Sequence, residues 1–412
     1  MAIPLSFDDL DRAADAHRRF GTTPGGPWDE FRGRFLALPA WFDESLDPLT
    51  RRYGEQQDKL WAAIAGVSSP YCVNEHEAVP EIAEADALYR PAFYQSSSAV
   101  AGDHLIALGH LVKLSDVQPG DDVLEYGPGF GQVGLAFARL GANVDAVDVN
   151  AAFCDAINAQ AEFLHAPLRA HVGVFGDRPR PVDYKLIIFY ECFHHAREFL
   201  KLIPRLRDLL RPDGKILMAG EPIADALDPG LPYPWGLRLD AESVAVVRWR
   251  GWYELGFQFD FLNACFEREN MSVRQHPGVL SHYATAYEIR ARSAGRIFDE
   301  AATAEDLATW HPPEESGCWT RACSTLSLGM EQSQPLAITA INHLPVVRSV
   351  AFRLGSTEKI EIFAPGERRR ILLPAAGSGR LVIQCKPVRP LDFGVADDRS
   401  LGIFVEKIFC GD

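Results

Sequence analysis

The spacing of apolar residues changes along the chain and predicts different elements in different stretches. Between Ser96 and Leu114, apolar side chains recur three and four positions apart, which predicts an amphipathic helix. After a turn at 118–121, short apolar runs alternate with stretches of helical spacing; the runs lie at 123–126, 144–147, 171–174, 186–189 and 216–219. Short apolar strands that alternate with helices predict a parallel sheet covered on both faces.

The two ends of the chain have other patterns, so we divide it into three parts. Residues 1–95 show helical stretches broken by proline and glycine, which predict a mostly helical cap. Residues 96–300 are predicted to form the α/β domain, with an insert rich in Pro, Trp and Gly at 221–256. From 320 to 412, short β-rich runs separated by Gly and Pro turns predict an antiparallel β-sandwich.

The composition narrows the classes of protein that fit. The chain has 412 residues, of which 47% are hydrophobic and 24% charged, so two or three globular domains are expected. The net charge of −15 argues against broad binding to nucleic acid or to an anionic membrane surface. Because no apolar run reaches 18 residues, we predict no transmembrane segment.

The eight cysteines are scattered along the sequence, and their spacing helps to predict the cellular compartment in which the protein works. The closest two, Cys318 and Cys323, do not form a C-x-x-C pair, so neither a zinc framework nor a disulfide framework is predicted. The first 20 residues lack the apolar core of a signal peptide. Reduced thiols and the absence of a leader predict a cytoplasmic protein.

A glycine cluster follows the first predicted strand and opens the next helix. The segment Glu125-Tyr-Gly-Pro-Gly-Phe-Gly131 gives the pattern E-x-G-x-G-x-G, and Asp148 follows Gly131 by 17 residues. Together with Gly134, these glycines also fit the G-x-G-x-x-G pattern of dinucleotide-binding proteins, which is a weak signal alone. The carboxylate of Glu125 would repel a pyrophosphate but would suit a cationic cofactor without phosphate. The loop could also be a tight turn without a ligand.

Residues 95–292 resemble the class I S-adenosylmethionine-dependent methyltransferases. The resemblance includes the glycine loop, Asp148 after the second strand, the pair Gly176-Asp177, the strand before Phe193-His194-His195, and the helix-turn-strand at 209–217. It implies a doubly wound, Rossmann-like sheet of seven strands whose last strand is antiparallel. It also implies S-adenosylmethionine as the cofactor.

The resemblance assigns cofactor contacts residue by residue. The glycine loop would line the methionine part of the cofactor, with Glu125 facing its amino group; the loop residues are Gly127, Gly129, Phe130 and Gly131. Asp148 would accept hydrogen bonds from both ribose hydroxyls, and Val149 would flank the adenine. The Gly176-Asp177 pair would lie at the adenine amino group, and Tyr190 beside the methionine moiety.

Several groups could remove the acceptor proton during methyl transfer. A hydroxyl acceptor needs a general base, and the candidates after the fourth strand are Glu191, His194 and His195. Each histidine could instead hydrogen-bond the loop. Glu221 is a further candidate at the acceptor, although it could equally cap a loop. Glu191 and Glu221 could also hold a divalent cation such as magnesium, since both offer oxygen ligands.

The insert at 221–256 is expected to shape the acceptor pocket. Its Trp235 and Arg238 would suit a sugar that carries a phosphate or carboxylate, although a packed aromatic flap would use the same residues. The segment 398–405 resembles a tail found on some bacterial proteins of surface-polysaccharide and glycan assembly. The β-domain could instead dimerise or cover the sheet.

These observations predict a methyltransferase that methylates a sugar hydroxyl in bacterial polysaccharide or glycan synthesis. The chain lacks the Asp/Asn-Pro-Pro-Tyr/Phe tetrapeptide of amino-directed members and reads Tyr190-Glu-Cys-Phe193, so nucleic acid is not an expected partner. Another small-molecule acceptor, a cofactor-retaining scaffold tethered through the β-domain, and a nicotinamide oxidoreductase are the alternatives. The sequence leaves the oligomeric state open.

Overall fold

The computed structural model describes residues 4–410 apart from 23, 78–93, 95–96, 226, 292–305, 307, 312–317, 329–334, 375–378, 395–396 and 398. The chain divides into two compact units, Met1–Ala291 and Arg292–Asp412. The division falls inside the range 96–300 predicted for the α/β domain, close to its end. The N-terminal region belongs to the same compact unit as the α/β part.

The strands of the first unit form one large sheet and one small sheet. They are β1 (Asp122–Tyr126), β2 (Asn143–Asp148), β3 (Leu168–Val172), β4 (Tyr184–Tyr190), β5 (Leu210–Ala219), β6 (Ile223–Ala224), β7 (Trp235–Leu237), β8 (Leu255–Gln258), β9 (Met271–His276) and β10 (Ala286–Ala291). Seven of these strands are ordered β3-β2-β1-β4-β5-β10-β9, in which β10 runs antiparallel to both neighbours. This confirms the predicted seven-stranded sheet and its antiparallel closing strand.

Helices lie between these strands and before them. They are α1 (Leu10–Phe20), α2 (Arg51–Ala65), α3 (Val73–His76), α4 (Ser98–Ser115), α5 (Gln132–Arg139), α6 (Ala151–Leu164), α7 (Phe199–Leu209), α8 (Ala241–Arg250) and α9 (Phe259–Arg268). Side chains fix several of the starts: Asn150 accepts a hydrogen bond from the Ala152 N–H at the start of α6, and Ser97 accepts one from the Val100 N–H at the start of α4.

Strand β4 is buried on both faces of the sheet, which explains why its sequence is an uninterrupted apolar run. Ile187 and Phe189 pack into one hydrophobic core, whereas Leu186 and Ile188 pack into another. Since successive side chains of a strand point to opposite faces, the two cores lie on the two sides of the sheet. Each face is covered by helices, as expected for a doubly wound parallel sheet.

The N-terminal region and the insert share a hydrophobic core. Tyr53 and Trp61 of α2 are buried in the same cluster as Trp235 of β7 and Tyr253, and the Tyr53 hydroxyl donates a hydrogen bond to the Trp235 carbonyl at 2.6 Å. The insert is ordered secondary structure: β6, β8 and β7 form a three-stranded sheet, and α8 follows β7. Its aromatic residues therefore stabilise the core of the first unit.

The second unit contains two four-stranded antiparallel sheets. Its strands are β11 (Cys318–Trp319), β12 (Cys323–Ser327), β13 (Leu336–Ile341), β14 (Arg348–Leu354), β15 (Thr357–Phe363), β16 (Arg368–Leu373), β17 (Arg380–Cys385) and β18 (Phe404–Cys410). The sheets are ordered β11-β18-β13-β16 and β12-β17-β14-β15, and both contribute to one buried core. The sequence pattern indicated β13 to β18 but missed β11 and β12, which are short or polar on one face.

Candidate active site

The glycine loop joins the end of β1 to the start of α5 and is tightly folded. Gly127, Gly129 and Gly131 have φ angles of 60°, 51° and 71°, a region that favours glycine. A Cβ atom at Gly127 would lie 2.7 Å from the Cβ atom of Cys192, and one at Gly131 would lie 2.8 Å from Ile157. The glycines are therefore needed both for backbone conformation and for close packing.

The loop forms one wall of a cavity of about 900 Å³ at the carboxyl edge of β1, β2 and β4. The cofactor residues expected from the sequence that line it are Glu125, Gly127, Gly129, Phe130, Asp148, Val149 and Tyr190. Gly131 does not line the cavity, because it packs against Ile157 where α5 begins. The structure thus brings most of the predicted cofactor residues to one place, the position at which doubly wound sheets bind ligands.

Four acidic residues that line this cavity have raised pKa values: Glu77, Glu125, Asp148 and Glu191. Burial raises the pKa of Glu125 to about 8, although the Gly134 N–H donates to its Oε2 at 2.8 Å. Burial raises the pKa of Asp148 to about 6, and burial with the nearby Glu221 raises that of Glu191 to about 8. Because burial disfavours the ionised carboxylates, a cationic ligand in this cavity would stabilise them.

We expect Asp148→Ala to weaken the binding of S-adenosylmethionine by about 1–3 kcal/mol, since two hydrogen bonds to a charged acceptor are lost. The affinity of the unmodified chain should also fall as the pH drops through about 6, because Asp148 then becomes protonated. Calorimetric titration at several pH values measures both effects. Asp155→Ala, at an exposed position of α6, is the control. An unchanged affinity in Asp148→Ala would contradict the ribose assignment.

The loop after β3 differs from the expectation for Gly176 and Asp177. The cavity is lined there by Gly173, Val174 and Phe175 instead. The Asp177 carboxylate turns back and accepts a hydrogen bond from the Val174 N–H at 2.9 Å, and Gly176 packs beside α7. In this structure the pair closes the turn that positions the lining residues and does not itself line the cavity, so its contact with adenine stays a prediction.

Tyr190 and Glu191 follow each other at the end of β4, next to the glycine loop. The Tyr190 hydroxyl lies 2.6 Å from Nδ1 of His104 on α4, and Glu191 Oε2 lies 3.5 Å from the same nitrogen. Glu191 has a φ angle of 53°, which is uncommon for a residue with a side chain and is found most often where function requires it. Both residues line the cavity.

The adjacent histidines lie in different surroundings. His194 is buried behind the cavity wall, with Nδ1 at 2.9 Å from Glu221 Oε2. His195 lines the cavity, and its ring meets the edge of Trp252 at a centroid distance of 5.6 Å. Burial and the neighbouring His194 lower the pKa of His195. Of the two histidines, only His195 is therefore placed to meet a ligand in the cavity.

Three residues expected at the acceptor are instead part of the packed interior. Glu221 accepts hydrogen bonds from the N–H groups of Cys192, Phe193 and His194, at 2.9, 2.9 and 3.1 Å. Burial alone would raise the pKa of Glu221, but His194 and these N–H groups outweigh it and leave the pKa below its ordinary value. Its oxygens are thus occupied, and the suggested cation site between Glu191 and Glu221 does not fit.

Trp235 and Arg238 also lie outside the cavity lining. The Trp235 indole is buried and donates to the Pro48 carbonyl at 2.9 Å. Arg238 forms an ion pair with Glu254, which is itself buried. Their assignment to the acceptor pocket is therefore wrong for this structure, because both side chains are used to join the insert to the core.

The wall opposite the glycine loop comes from distant parts of the chain. Asp58 of α2 accepts a hydrogen bond from Arg197 Nε at 2.7 Å, and both residues line the cavity. Tyr71 and Glu77 reach it from the region around α3, and Trp252 from the end of the insert. Trp252 belongs to the insert that was expected to shape the acceptor pocket, but Asp58, Arg197, Tyr71 and Glu77 were not predicted from the sequence. The sequence around these residues does not show that they line the cavity, because contacts such as the one between Asp58 and Arg197 join positions more than 100 residues apart.

Comparisons with known proteins agree with this site. Residues 123–214 match the family model described as a methyltransferase domain. A search of the curated proteins finds no match. The matched segment contains the glycine loop, Asp148, Glu191 and both histidines.

Several solved structures resemble part of the chain. The 1,6-didemethyltoxoflavin-N1-methyltransferase of Burkholderia thailandensis, solved with S-adenosylhomocysteine, is 17% identical over 48% of this chain and 78% of its own, with a TM-score of 0.34. A TehB-like SAM-dependent methyltransferase from Corynebacterium glutamicum is 16% identical over 47% and 92%, with a TM-score of 0.33. The magnesium protoporphyrin IX methyltransferase of Synechocystis is 13% identical over 50% and 92%, with a TM-score of 0.36.

The strand order and the glycine loop with Asp148 are typical of a class I methyltransferase fold, and residues 123–214 match a methyltransferase domain. Its cofactor is S-adenosylmethionine. The cavity fits this group, because Gly127 and Gly129 leave room for close approach and Asp148 offers the two acceptors that a ribose needs. Bound there, the cofactor supplies an electrophilic methyl group. In the part of the chain that the structure describes, no helix is long and apolar enough to cross a membrane.

Proposed function

We propose that the protein transfers the methyl group of S-adenosylmethionine to a hydroxyl oxygen of a sugar-containing small molecule. The observation that carries this proposal is the single cavity that joins the glycine loop to a wall of polar and aromatic residues. A volume of about 900 Å³ is large for one small-molecule site, so it leaves room for an acceptor beside the cofactor. A role in polysaccharide or glycan synthesis is supported by the resemblance of segment 398–405 alone.

The acceptor wall has the chemistry that a polyhydroxylated ring requires. Trp252 offers an apolar face, Asp58 and Glu198 offer carboxylate acceptors, and Arg197 offers donors. The wall also contains Lys201 and Arg205, which are four residues apart on the same helix and would favour an acceptor with a negative group. These wall residues take the place of Trp235 and Arg238, which were predicted from the sequence. They suit the same class of acceptor, a sugar that carries a negative group.

We assign the general base to Glu191. When bound, S-adenosylmethionine would supply an electrophilic methyl group for the acceptor oxygen, and the Glu191 carboxylate would take the proton of that hydroxyl. Glu191 directly follows Tyr190 at the edge of β4 beside the glycine loop, whereas His195 lies further along the wall near Glu77. The positive sulfonium would lower the raised pKa of Glu191 and so favour the basic form when the cofactor is bound.

A panel of acceptors tests this proposal. The full chain is incubated with S-adenosylmethionine and, separately, with nucleotide sugars, sugar phosphates, neutral glycans, catechols and primary amines. Mass spectrometry then follows S-adenosylhomocysteine and the methylated product. We expect turnover with at least one sugar, and much lower turnover in Asp148→Ala at low cofactor concentration. Turnover restricted to catechols or amines would overturn the sugar assignment, and tight cofactor binding without any turnover would favour the scaffold.

A further inference from the structure

A buried cluster of imidazoles and carboxylates lies behind the acceptor wall and is not used in the proposed reaction. His194, His195 and Glu254 each place one ligand atom within 4.8 Å of the others. His194 and Glu254 are buried, and about a fifth of the His195 side chain is exposed on the cavity side. The cluster joins the segment after β4 to the end of the insert.

The orientation of His194 leaves one nitrogen facing a carboxylate. Its Nδ1 lies 2.9 Å from Glu221 Oε2, and a proton on Nδ1 satisfies that contact. The lone pair on Nε2 then faces Glu254 Oε2 at 3.6 Å, which is too long for a hydrogen bond. Two electron-rich atoms thus face each other across a gap that a cation would fill. A carboxylate on the far nitrogen is also the usual way in which proteins orient a metal-binding histidine.

The distance between His194 and Glu254 suits a small divalent metal ion. In a tetrahedral zinc site with bonds of about 2.0–2.1 Å, neighbouring ligand atoms lie about 3.3 Å apart. The separation between His194 Nε2 and Glu254 Oε2, 3.6 Å, is close to this spacing. Arg238 already donates to Glu254, but a carboxylate has about four lone-pair positions and can accept a metal as well.

The ring of His195 gives a second, independent observation that favours a bound ion. Its Nδ1 is buried and has no hydrogen-bond partner among the described residues. The closest carboxylate oxygen paired with it, Glu77 Oε2, lies at 3.9 Å, beyond hydrogen-bond range. Buried polar atoms in native proteins are nearly always satisfied, so an unsatisfied imidazole nitrogen beside two other ligand groups indicates a bound ion.

We propose that His194 Nε2, His195 and Glu254 bind a divalent transition-metal ion, with zinc as the expected metal. Two imidazoles and one carboxylate form a ligand set that zinc uses when one coordination position remains open. His195 and Glu77 both line the cavity, so the open position lies on the acceptor side. This site would couple the segment after β4 to the insert and would place a Lewis acid near the acceptor.

Metal analysis of the intact chain tests the site without any acceptor or cofactor. The purified protein is stripped with a chelator, reloaded with Zn²⁺ and passed through a desalting column, and the zinc content is measured. We expect one zinc ion per chain, and Co²⁺ in its place should give the visible absorption of a four-coordinate site. Protein that retains no zinc would overturn the proposal, whatever the outcome of the acceptor panel.

Variants locate the ion. His195→Ala is expected to lower zinc affinity by more than about 100-fold, because loss of even an outer partner of a metal ligand costs about 10–100-fold. His276→Ala is the matched control, since His276 also pairs with a carboxylate, Glu288 at 2.9 Å, on β9 and β10. Glu254→Gln gives a second ligand variant if His195→Ala does not fold. Equal zinc binding by a folded ligand variant and by His276→Ala would place the ion elsewhere and overturn the assignment.

Discussion

Glu191→Gln is expected to lower the rate of methyl transfer by about 10²–10⁴-fold, the usual contribution of a general base. Glutamine has nearly the same shape but cannot accept the hydroxyl proton. Cofactor affinity should also fall, but by much less than the rate, because the bound sulfonium must first ionise a carboxyl whose pKa of about 8 keeps it mostly neutral in the free protein. The rate of S-adenosylhomocysteine formation with the acceptor found in the panel, and calorimetry with the cofactor, separate the two effects.

The pH dependence of the same reaction gives a second readout. Since the base must be ionised, kcat/KM should rise with pH and level off above about 8, the pKa of Glu191 in the free protein. The inflection in kcat should lie at lower pH, because the bound sulfonium favours the carboxylate. Glu198→Gln, which removes another carboxyl that lines the cavity, should keep this profile. If Glu191→Gln left the rate and its pH dependence unchanged, the general base would have to be another residue.

Glu221→Ala is expected to destabilise the first unit by about 3–5 kcal/mol, because each buried donor left without an acceptor costs about 1–3 kcal/mol. The substitution leaves three backbone N–H groups and the His194 ring without their acceptor. Urea unfolding followed by tryptophan fluorescence measures the loss. Glu221→Gln, which keeps one acceptor oxygen, should lose less.

An exposed carboxylate provides the comparison for this experiment. Glu55 lies on α2 and pairs with Arg51 at the surface, so Glu55→Ala should change the free energy of unfolding by less than about 0.5 kcal/mol. A loss below about 1 kcal/mol in Glu221→Ala would show that the segment after β4 does not depend on this carboxylate.

Features that are local in the sequence were predicted well. The apolar run of β4 and the alternation with helices were enough for the sheet, because strands buried on both faces leave a continuous hydrophobic signal. The glycine loop and Asp148 were found for a similar reason: positive φ angles require glycine, and the loop and the acid both follow strands. These residues reach the same edge of the sheet because parallel strands end there.

Features that depend on distant partners were not predicted. Trp235 and Arg238 have side chains that suit a sugar, yet the same side chains suit a core when Pro48 and Glu254 are available. The sequence does not show which use applies. Asp58 was missed for the converse reason, since its place on the cavity wall depends on a contact with Arg197 across 139 positions.

Two neighbouring residues of the same type can also be given different roles only once the fold is known. His194 and His195 were equal candidates because each follows β4 at nearly the same distance. The short helical turn at 193–195 directs one ring toward Glu221 and leaves the other on the cavity wall. A difference of one position thus decides between an imidazole buried in the interior and one that lines the cavity.

The raised pKa values of Glu125, Asp148 and Glu191 suggest how the protein would release its spent cofactor. S-adenosylmethionine carries a positive sulfonium, whereas the thioether left after transfer is uncharged at sulfur. A donor bound beside Glu125, Asp148 and Glu191 would therefore be attracted less strongly once its methyl group has been transferred. We expect the preference for donor over product to grow with rising pH as these acids ionise, which would make the enzyme resistant to product inhibition under alkaline conditions.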